Sequence, residues 1–346
     1  MKKIKVLIFN DHPVLLEMVE AFKESVSCEV ITNNFYKALS FEDERILLVF
    51  STNVIGSNER LMNFIKKIKE KNKVFNKSYA GIIVNSENEL YTKTLAQQVV
   101  FLLNQQGLSF IGQPMVEIIK DFKNYITWQK LHEDKTLKAI AKIQVVKLAE
   151  RLYNFKLEQK KSPKILVLHA SSYQTSNTLM LWNMIKEYLD GYDINEIEIE
   201  DGKIIDCSGC PFETCQHFAQ KKSCYYGGVI VDDVLPAIEA CDYFVWICPN
   251  YNDSISAKLM AVINRMTVLY RRISLKDKTM FAVIISGNSG SDSVAKHLIS
   301  ALNLNKGFIL PPEFSIMSIA NDSGEIAYVE GIREKAKKFA EKMKEY

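Results

Sequence analysis

The sequence contains no long hydrophobic run. A transmembrane helix needs roughly 20 consecutive apolar residues, and no stretch of this chain approaches that length. The apolar run near the N-terminus, VLIF, is also too short for the apolar region of a signal peptide, and no small-residue cleavage site follows it. We therefore expect no membrane partner and a cytoplasmic location, where thiols stay reduced and structural disulfides are rare.

An excess of charge is also missing. Lys and Arg total 44 and Asp and Glu total 41, so the net charge is +3, which gives no reason to expect nucleic acid as a partner. The pattern GxGxxG is absent as well, so a dinucleotide-binding Rossmann loop is unsupported. The chain has 346 residues, 47% of them hydrophobic and 25% charged, a composition that suits two globular domains.

Short apolar runs recur along the chain, separated by longer helix-like stretches. They read KVLIF, ILLVF, AGIIV, KILVL, YFVWIC and FAVII. Uninterrupted runs of this length are typical of strands buried on both faces of a parallel sheet. We therefore predict an α/β fold in which helices cover both faces of doubly wound parallel sheets.

The same pattern occurs twice. Residues 49–68 align with residues 247–266 at a constant offset of 198, which pairs Leu61 with Leu259. The apolar runs AGIIV and FAVII are also followed by similar stretches, each leading to Phe and then Pro. This self-similarity indicates a tandem duplication of one α/β unit.

Between the two copies lies a segment with an apolar stripe at three- and four-residue steps, which indicates a helix. This helix either packs on one of the domains or forms a dimer or interdomain contact. Ser162 and Pro163 end it before the strand KILVL begins. We predict domains over 1–128 and 164–346, joined by a helical linker over 129–163.

Three polar loops follow the predicted strands of the second copy. KILVL leads into HASSYQTSNT, YFVWIC into PNYNDS, and FAVII into SGNSGSD. The carboxyl ends of parallel strands meet at one edge of a sheet, where doubly wound folds bind their ligands. Hydroxyl and backbone N–H groups before a helix suit a phosphate, although the first loop also fits a plain helix cap. The candidate ligand-binding residues are Ser171, Ser172, Ser176, Asn177, Thr178, Pro249, Asn250, Tyr251, Asn252, Asp253, Ser286, Gly287 and Asn288.

From residue 164 to about residue 325 the chain resembles the NADPH-dependent FMN reductase and iron–sulfur flavoprotein group of flavodoxin-like proteins. The family's phosphate loop reads roughly G-S-P-R-x-x-G-N-T, of which Ser171, Asn177 and Thr178 are present, whereas Tyr173 replaces the arginine and Ser176 the second glycine. The family's ring-binding loop, P-x-Y-x-x-S-[VI]-S-A-x-L-x-A-x-I-x-R, matches at every fixed position of residues 249–265.

This resemblance implies two tandem flavodoxin-like domains, of which the second binds FMN. The hydroxyls of the first loop would bind its phosphate, and Pro249 and Tyr251 would shape the second loop under the isoalloxazine ring. The first copy reads FNDHP and STNVIG at the corresponding loops, so we interpret it as a degenerate copy that does not bind flavin. Relatives often build the flavin site at a subunit interface, so a homo-oligomer is expected.

Four of the seven cysteines lie close together, as Cys207-x2-Cys210-x4-Cys215-x8-Cys224. Iron–sulfur flavoproteins use a more compact pattern for a [4Fe–4S] cluster held by four thiolates. Zinc is an alternative metal, with His217 nearby, although zinc sites more often contain two tight pairs. Three alternatives therefore stay open, namely a [4Fe–4S] cluster, zinc, and unligated or redox-active thiols; the spacing favours the cluster over zinc.

Together these features predict an FMN-dependent oxidoreductase that passes electrons from NADH or NADPH to an unknown acceptor, through a [4Fe–4S] cluster if one is bound. Flavin chemistry needs no acid–base pair from the protein, and we assign no catalytic residue. Two alternatives remain. One is a flavodoxin-like electron carrier without nicotinamide chemistry, and the other is a zinc-stabilised structural or regulatory protein without flavin.

Overall fold

A computed structural model describes residues 3–33, 35, 41–71, 74–171, 175–199 and 204–346. The chain forms two compact units, Met1–Lys156 and Leu157–Tyr346. The strands are β1 Ile4–Ile8, β2 Cys28–Ile31, β3 Phe41–Glu42, β4 Arg45–Ser51, β5 Phe75–Asn76, β6 Tyr79–Asn85, β7 Ser109–Ile118, β8 Lys164–His169, β9 Asp193–Glu198, β10 Tyr243–Pro249, β11 Thr279–Ser286 and β12 Ser315–Ile319.

The α-helices are α1 Pro13–Ser25, α2 Glu59–Lys69, α3 Thr92–Asn104, α4 Ile126–Gln129, α5 Leu137–Asn154, α6 Asn177–Lys186, α7 Phe212–Gln220, α8 Leu235–Ala240, α9 Ala257–Arg265, α10 Thr267–Tyr270, α11 Ser291–Leu298 and α12 Ile332–Glu345. Short π-helical turns cover Ile230–Val234 and Ile299–Lys306. None of the helices in the described part of the chain combines the length and apolar character needed to cross a membrane.

The first unit contains a five-stranded parallel sheet in the order β2-β1-β4-β6-β7. Leu47 and Val49 of β4 join a core cluster with residues of α1 and α5, while the alternate residues Leu48 and Phe50 are also buried. Because successive side chains of a strand point to opposite faces, both faces of this sheet are covered. A two-stranded parallel sheet, β3-β5, completes the unit.

Helix α5 belongs to this first unit. The side chain of Thr136 accepts a hydrogen bond from the backbone N–H of Ala139 and so caps its N-terminus. Its apolar residues Ile140, Val145 and Leu148 are fully buried in the core of the unit, while Leu137 and Phe155 pack against that core and are partly buried. The apolar periodicity between the two copies therefore reflects packing against a sheet.

The second unit contains a five-stranded parallel sheet in the order β12-β11-β10-β8-β9. Numbered within each unit, both sheets follow the order 2-1-3-4-5, which is the flavodoxin-like order. The predicted fold class, two tandem flavodoxin-like parallel-sheet domains, is confirmed.

The bounds of the elements follow the offset of the sequence alignment. Strand β4 begins at residue 45 and ends at residue 51, and β10 begins at 243 and ends at 249, so both ends differ by 198. The following helices also begin 198 residues apart, at residues 59 and 257. The two units therefore place equivalent loops at equivalent positions of their sheets.

Candidate functional site

A cavity of about 430 Å³ lies at the carboxyl ends of β8, β10, β11 and β12. Eight of the predicted ligand-binding residues line it, namely Ser171, Ser176, Asn177, Thr178, Pro249, Asn250, Tyr251 and Gly287. Asn252, Asp253, Ser286 and Asn288 are not among its lining residues, and Ser172 lies outside the described residues. The three loops that the sequence singles out thus meet at one cavity, and the role of each residue stays a prediction.

The first loop, residues 171–178, includes the first two residues of helix α6. Ser176 is the N-cap residue, but its hydroxyl lies 3.0 Å from that of Thr178 and does not cap the helix. The first backbone N–H groups of a helix have no partner within the helix and carry a partial positive charge. Hydroxyl groups and a helix N-terminus therefore face the cavity together, an arrangement that suits a phosphate.

Asn177 has a different environment from its neighbours. Its Nδ2 donates to the carbonyl oxygens of Ala320 and Asp322 at 3.1 and 2.8 Å, and its Oδ1 accepts from the backbone N–H of Ile326 at 3.2 Å. The side-chain amide therefore ties the first loop to the chain beyond β12. Its contribution to a bound ligand would come from its backbone.

The second loop, residues 249–254, is a tight turn. Tyr251 and Ser254 exchange two backbone hydrogen bonds of 3.3 and 3.1 Å, and the two residues between them, Asn252 and Asp253, have φ angles of 52° and 58°. A two-residue turn with both φ angles positive strongly favours Asn, Asp or Gly. This turn leaves the Tyr251 side chain 58% exposed at the mouth of the cavity.

Asn250 connects the second loop to the third loop, residues 286–290. Its Nδ2 lies 3.0 Å from Ser286 Oγ, 2.9 Å from the carbonyl oxygen of Ser289 and 3.3 Å from Asp253 Oδ1. Gly290 has a φ of +85°, and a Cβ at this position would lie 1.8 Å from Asp253 Oδ1. Only glycine therefore allows the two loops to approach this closely.

A fourth loop, residues 320–325, completes the cavity and was missed by the sequence analysis. Asn321 and Ser323 line the cavity, and the Glu325 carboxylate accepts hydrogen bonds from the N–H groups of Asp322 and Asn321 at 2.9 and 2.6 Å. These two hydrogen bonds lower the pKa of Glu325 below its usual range. The polar run after the fifth strand, ANDSGE, was the available signal.

The fourth loop also contacts the other loops. The hydroxyl of Ser323 and the N–H of Gly324 both donate to the carbonyl oxygen of Thr175 at 3.1 Å. A Cβ on Gly287 would lie 2.8 Å from Asn321 Oδ1. Thr175, a further lining residue that the sequence analysis did not select, is thus held in place from the opposite side of the cavity.

Asn250, which lines the cavity, has a buried Oδ1 without a hydrogen-bond partner among the described residues, and so does Ser256 Oγ at the start of α9. Buried polar atoms are normally paired, and an unpaired acceptor on a lining residue can accept a hydrogen bond from a ligand in the cavity. The isoalloxazine ring of FMN carries such a donor, and the cavity volume is in the range of small-molecule sites. The residues present therefore fit FMN.

The cysteine segment, residues 205–227, lies between β9 and β10. Cys207 is exposed, while Cys210, Cys215 and Cys224 are half-buried, and none of them forms a disulfide. Within the described residues, no three His, Cys, Asp or Glu side chains are arranged to hold a metal ion. As placed here, the four thiols do not form a cluster or zinc site.

A cation lies near this segment. Lys306 Nζ donates to Thr267 Oγ1 at 2.8 Å and lies 5.5 Å from the ring centroid of Tyr270. Burial, and after it the guanidinium of Arg271, lowers the pKa of Lys306, while the thiols of Cys207 and Cys215 act in the opposite direction. The other cysteines of this unit are buried, and burial raises the pKa of the Cys241 thiol to about 12.

The equivalent edge of the first unit has different chemistry. Asn10 and Ser51 hydrogen-bond to each other, and Asn58 Nδ2 donates to the carbonyl oxygen of Ser51 at 2.9 Å. Val54 and Ile55, which the offset of 198 pairs with Asn252 and Asp253, are 83% and 77% exposed. Several polar groups at this edge therefore bond to one another, while Thr52 Oγ1, at the position that the offset pairs with Asn250, and Asn85 Oδ1 are buried without a partner among the described residues. The tip of the loop is apolar. That this copy binds no flavin stays a prediction.

Residues 163–322 match the model of the NADPH-dependent FMN reductase family. This match confirms the resemblance seen in the sequence, and with it the predicted enzyme class for this part of the chain, an FMN-dependent NAD(P)H oxidoreductase. It does not extend to an iron–sulfur cluster, an electron acceptor or an oligomeric state. No curated protein matches the chain.

Among solved structures, similar folds include the NAD(P)H:quinone oxidoreductase from Methanothermobacter marburgensis, with 14% identity, a TM-score of 0.40 and coverage of 52% of this chain and 98% of that one. An FMN-dependent NADH-azoreductase from Bacillus anthracis, in complex with FMN, has 13% identity, a TM-score of 0.37 and coverage of 52% and 99%. These values are too low to support any functional conclusion.

Proposed function

We propose that the second unit binds FMN in the cavity between its four loops and transfers electrons from NADH or NADPH to an acceptor. The observation that carries this proposal is the convergence of the first and second loops, which the sequence related to phosphate and ring binding, on one cavity of about 430 Å³. The unpaired Asn250 Oδ1 supports it.

The phosphate of FMN would bind at the N-terminus of α6. Ser176 and Thr178 offer hydroxyl groups there, and the first turn of the helix offers N–H groups and the positive end of its dipole. With Tyr173 in place of the family's arginine, the first loop itself provides no cationic side chain between residues 171 and 178. We therefore expect neutral hydrogen bonds to dominate phosphate binding.

The ring would lie against the second loop. Tyr251 is largely exposed beside the cavity and can cover part of a ring, while the buried Asn250 Oδ1 can accept a hydrogen bond from it. Once bound, FMN supplies the redox chemistry, because it can take up an electron pair from a nicotinamide and release electrons to an acceptor. The protein binds and orients the cofactor, and no acid–base residue is required of it.

The proposal leaves one question to experiment, namely whether the thiols of the cysteine segment bind a metal. The spacing of its thiols favours a [4Fe–4S] cluster over zinc, yet the described side chains are not arranged as a metal site. The proposed electron transfer therefore involves FMN alone. Iron, acid-labile sulfide and zinc are to be assayed on anaerobically purified protein. A cluster would give about four irons per chain and absorption at roughly 400 nm that bleaches with dithionite.

The proposed function is tested by an absorption spectrum of the purified protein, reconstitution with FMN, and steady-state oxidation of NADH and NADPH. Bound flavin with NAD(P)H turnover supports the oxidoreductase. Bound flavin that nicotinamides do not reduce supports the alternative of an electron carrier, and failure to bind added FMN contradicts both. We also expect a homo-oligomer, which light scattering coupled to gel filtration would test.

A further inference from the structure

One buried guanidinium forms hydrogen bonds with both ends of the cysteine segment. Arg265, the last residue of α9, is only 2% exposed. Its Nη1 donates to the carbonyl oxygen of Ile205 at 3.2 Å, and its Nη2 donates to that of Gly227 at 2.7 Å. All four clustered cysteines lie between these two carbonyls in the sequence. The contacts of one side chain therefore bring together the two ends of the segment.

The neighbouring side chains hold the same segment. Asn264 Nδ2 donates to Asp206 Oδ1 at 3.0 Å, and the same oxygen accepts from the backbone N–H of Cys207 at 2.6 Å. The Arg271 guanidinium lies 4.3 Å from the ring centroid of Phe212, a cation–π distance. The region from α9 to just beyond α10 thus contacts the segment at its start, its middle and its end.

The opposite end of α9 lies at the proposed flavin site. The helix begins at Ala257, directly after its N-cap residue Ser256 and three residues after the last residue of the second loop. Nine helical residues at a rise of 1.5 Å span about 13 Å. The buried residues of α9 include Leu259, Val262 and Ile263, so a packed helix connects the second loop with the contacts of Arg265.

We propose that Arg265 is a positioning residue that closes the cysteine segment and, through α9, fixes its thiols at a constant distance from the second loop. The guanidinium is a planar fork with donors on separate nitrogen atoms, so it can bind the carbonyl oxygens of Ile205 and Gly227 at the same time. Lysine carries all its donors on one atom. The functional importance of the distance between the thiols and the second loop rests on the proposed function. The closure of the segment by Arg265 does not.

The closure is tested without flavin, by pulse alkylation of the reduced, chelator-treated protein followed by mass spectrometry of each cysteine. In Arg265→Lys we expect the half-buried thiols of Cys210, Cys215 and Cys224 to react about tenfold faster, because the segment opens locally. The buried thiols of Cys241 and Cys248 keep their rates. A parallel rise in both groups, or rates within about twofold of wild type in the first group, overturns the proposal.

A matched control removes a similar bond elsewhere. Arg45 Nη2 donates to the carbonyl oxygen of Phe155 at 2.6 Å in the first unit, so Arg45→Lys loses a guanidinium–carbonyl contact without touching the cysteine segment. Its alkylation pattern should equal that of wild type. Should Arg265→Lys fail to fold, Arg265→Gln is measured instead, because its side-chain amide carries its donors on one nitrogen atom, and the same three thiols should accelerate. Unchanged rates in that variant also overturn the proposal.

The link to the flavin site has its own readout. A donor fluorophore on the exposed Cys207 should transfer energy to bound FMN with one narrow efficiency in wild type and a broad distribution in Arg265→Lys. Equal distributions would show that Arg265 does not fix this distance. If wild type binds no FMN, the proposed function fails, while the alkylation pattern still decides whether Arg265 closes the segment.

Discussion

Replacing Gly290 by alanine would open the contact between the second and third loops. The φ of Gly290 is +85°, and a Cβ would lie 1.8 Å from Asp253 Oδ1 and 2.9 Å from Asn250 Nδ2. An L-residue in this left-handed region costs about 1 kcal/mol. The clash also displaces the Asp253 carboxylate from Asn250, which costs about 1 kcal/mol more. The closed arrangement of the loops is therefore destabilised by about 2 kcal/mol.

If FMN binds only to the closed arrangement, this penalty appears in its affinity. Because the apparent Kd equals the intrinsic Kd divided by the fraction of closed protein, a difference of 2 kcal/mol raises it by at most roughly thirtyfold. The assay is a titration of the flavin-free protein with FMN, followed by quenching of flavin fluorescence. Thermal unfolding of the same samples reports the loss of stability separately.

Gly191→Ala is the matched control. Gly191 also has a positive φ, +82°, but a Cβ there meets nothing within 4 Å. Both variants carry the backbone penalty, which lowers the Tm by about 2–4 °C in a unit of this size. Only Gly290→Ala should weaken FMN binding. If both variants bind FMN with the same Kd, the contact between these loops does not form part of the flavin site.

The double substitution Tyr251→Ala, Asn252→Ala should lower FMN affinity by roughly tenfold or more, whereas Asn53→Ala, Val54→Ala at the equivalent positions of the first unit should leave it unchanged; equal affinities would remove the second loop from the site. The lowered pKa of Glu325 means that its carboxylate stabilises the fourth loop above the usual carboxyl range, and that this contribution disappears as the pH falls through the folded-state pKa, below 4.5. We therefore expect FMN affinity to fall in acid in wild type and to lose this dependence in Glu325→Gln, and the same acid profile in both would contradict this role. Replacing the four clustered cysteines by serine should abolish any bound iron or zinc and leave FMN binding intact, as metal analysis and the FMN titration would show; metal retained by the serine variant would lie elsewhere.

The central strands and the second loop were predictable from the sequence. Buried central strands such as β4 and β10 read as uninterrupted apolar runs, because both faces of the sheet are covered. The second loop was recognisable because its motif fixes ten of the 17 positions from Pro249 to Arg265. Both patterns lie within one short stretch of the sequence, so they can be recognised without knowledge of the fold.

The fourth loop was harder to predict for a physical reason. It follows β12, an edge strand whose residues SIMSI become progressively more exposed toward Ile319. Without an apolar run, the strand is hard to recognise in the sequence. The loop that follows it is then not recognised as part of the carboxyl edge of the sheet. The same reasoning applies to β9, in whose sequence DINEIE only the two isoleucines are half-buried and the other residues are exposed.

The arrangement of the cysteines could not be predicted because it depends on contacts between distant parts of the chain. The spacing of the thiols is a property of residues 207–224, but their position is set by Arg265 and Asn264, which belong to a later helix. The role of Asn177 illustrates the same limit. Its place in the motif suggested a ligand contact, while its side chain bonds to residues more than 140 positions away.

The two units of this protein separate the contribution of the sheet from that of the loops. Their strand orders are the same, and equivalent elements lie 198 residues apart. At the carboxyl edge, however, one unit exposes Val54 and Ile55, whereas the other has a polar turn of Asn252 and Asp253 beside a cavity. Since the sheet is common to both, flavin binding by one unit alone would have to come from the loops, which are the part of the chain that can change without altering the core.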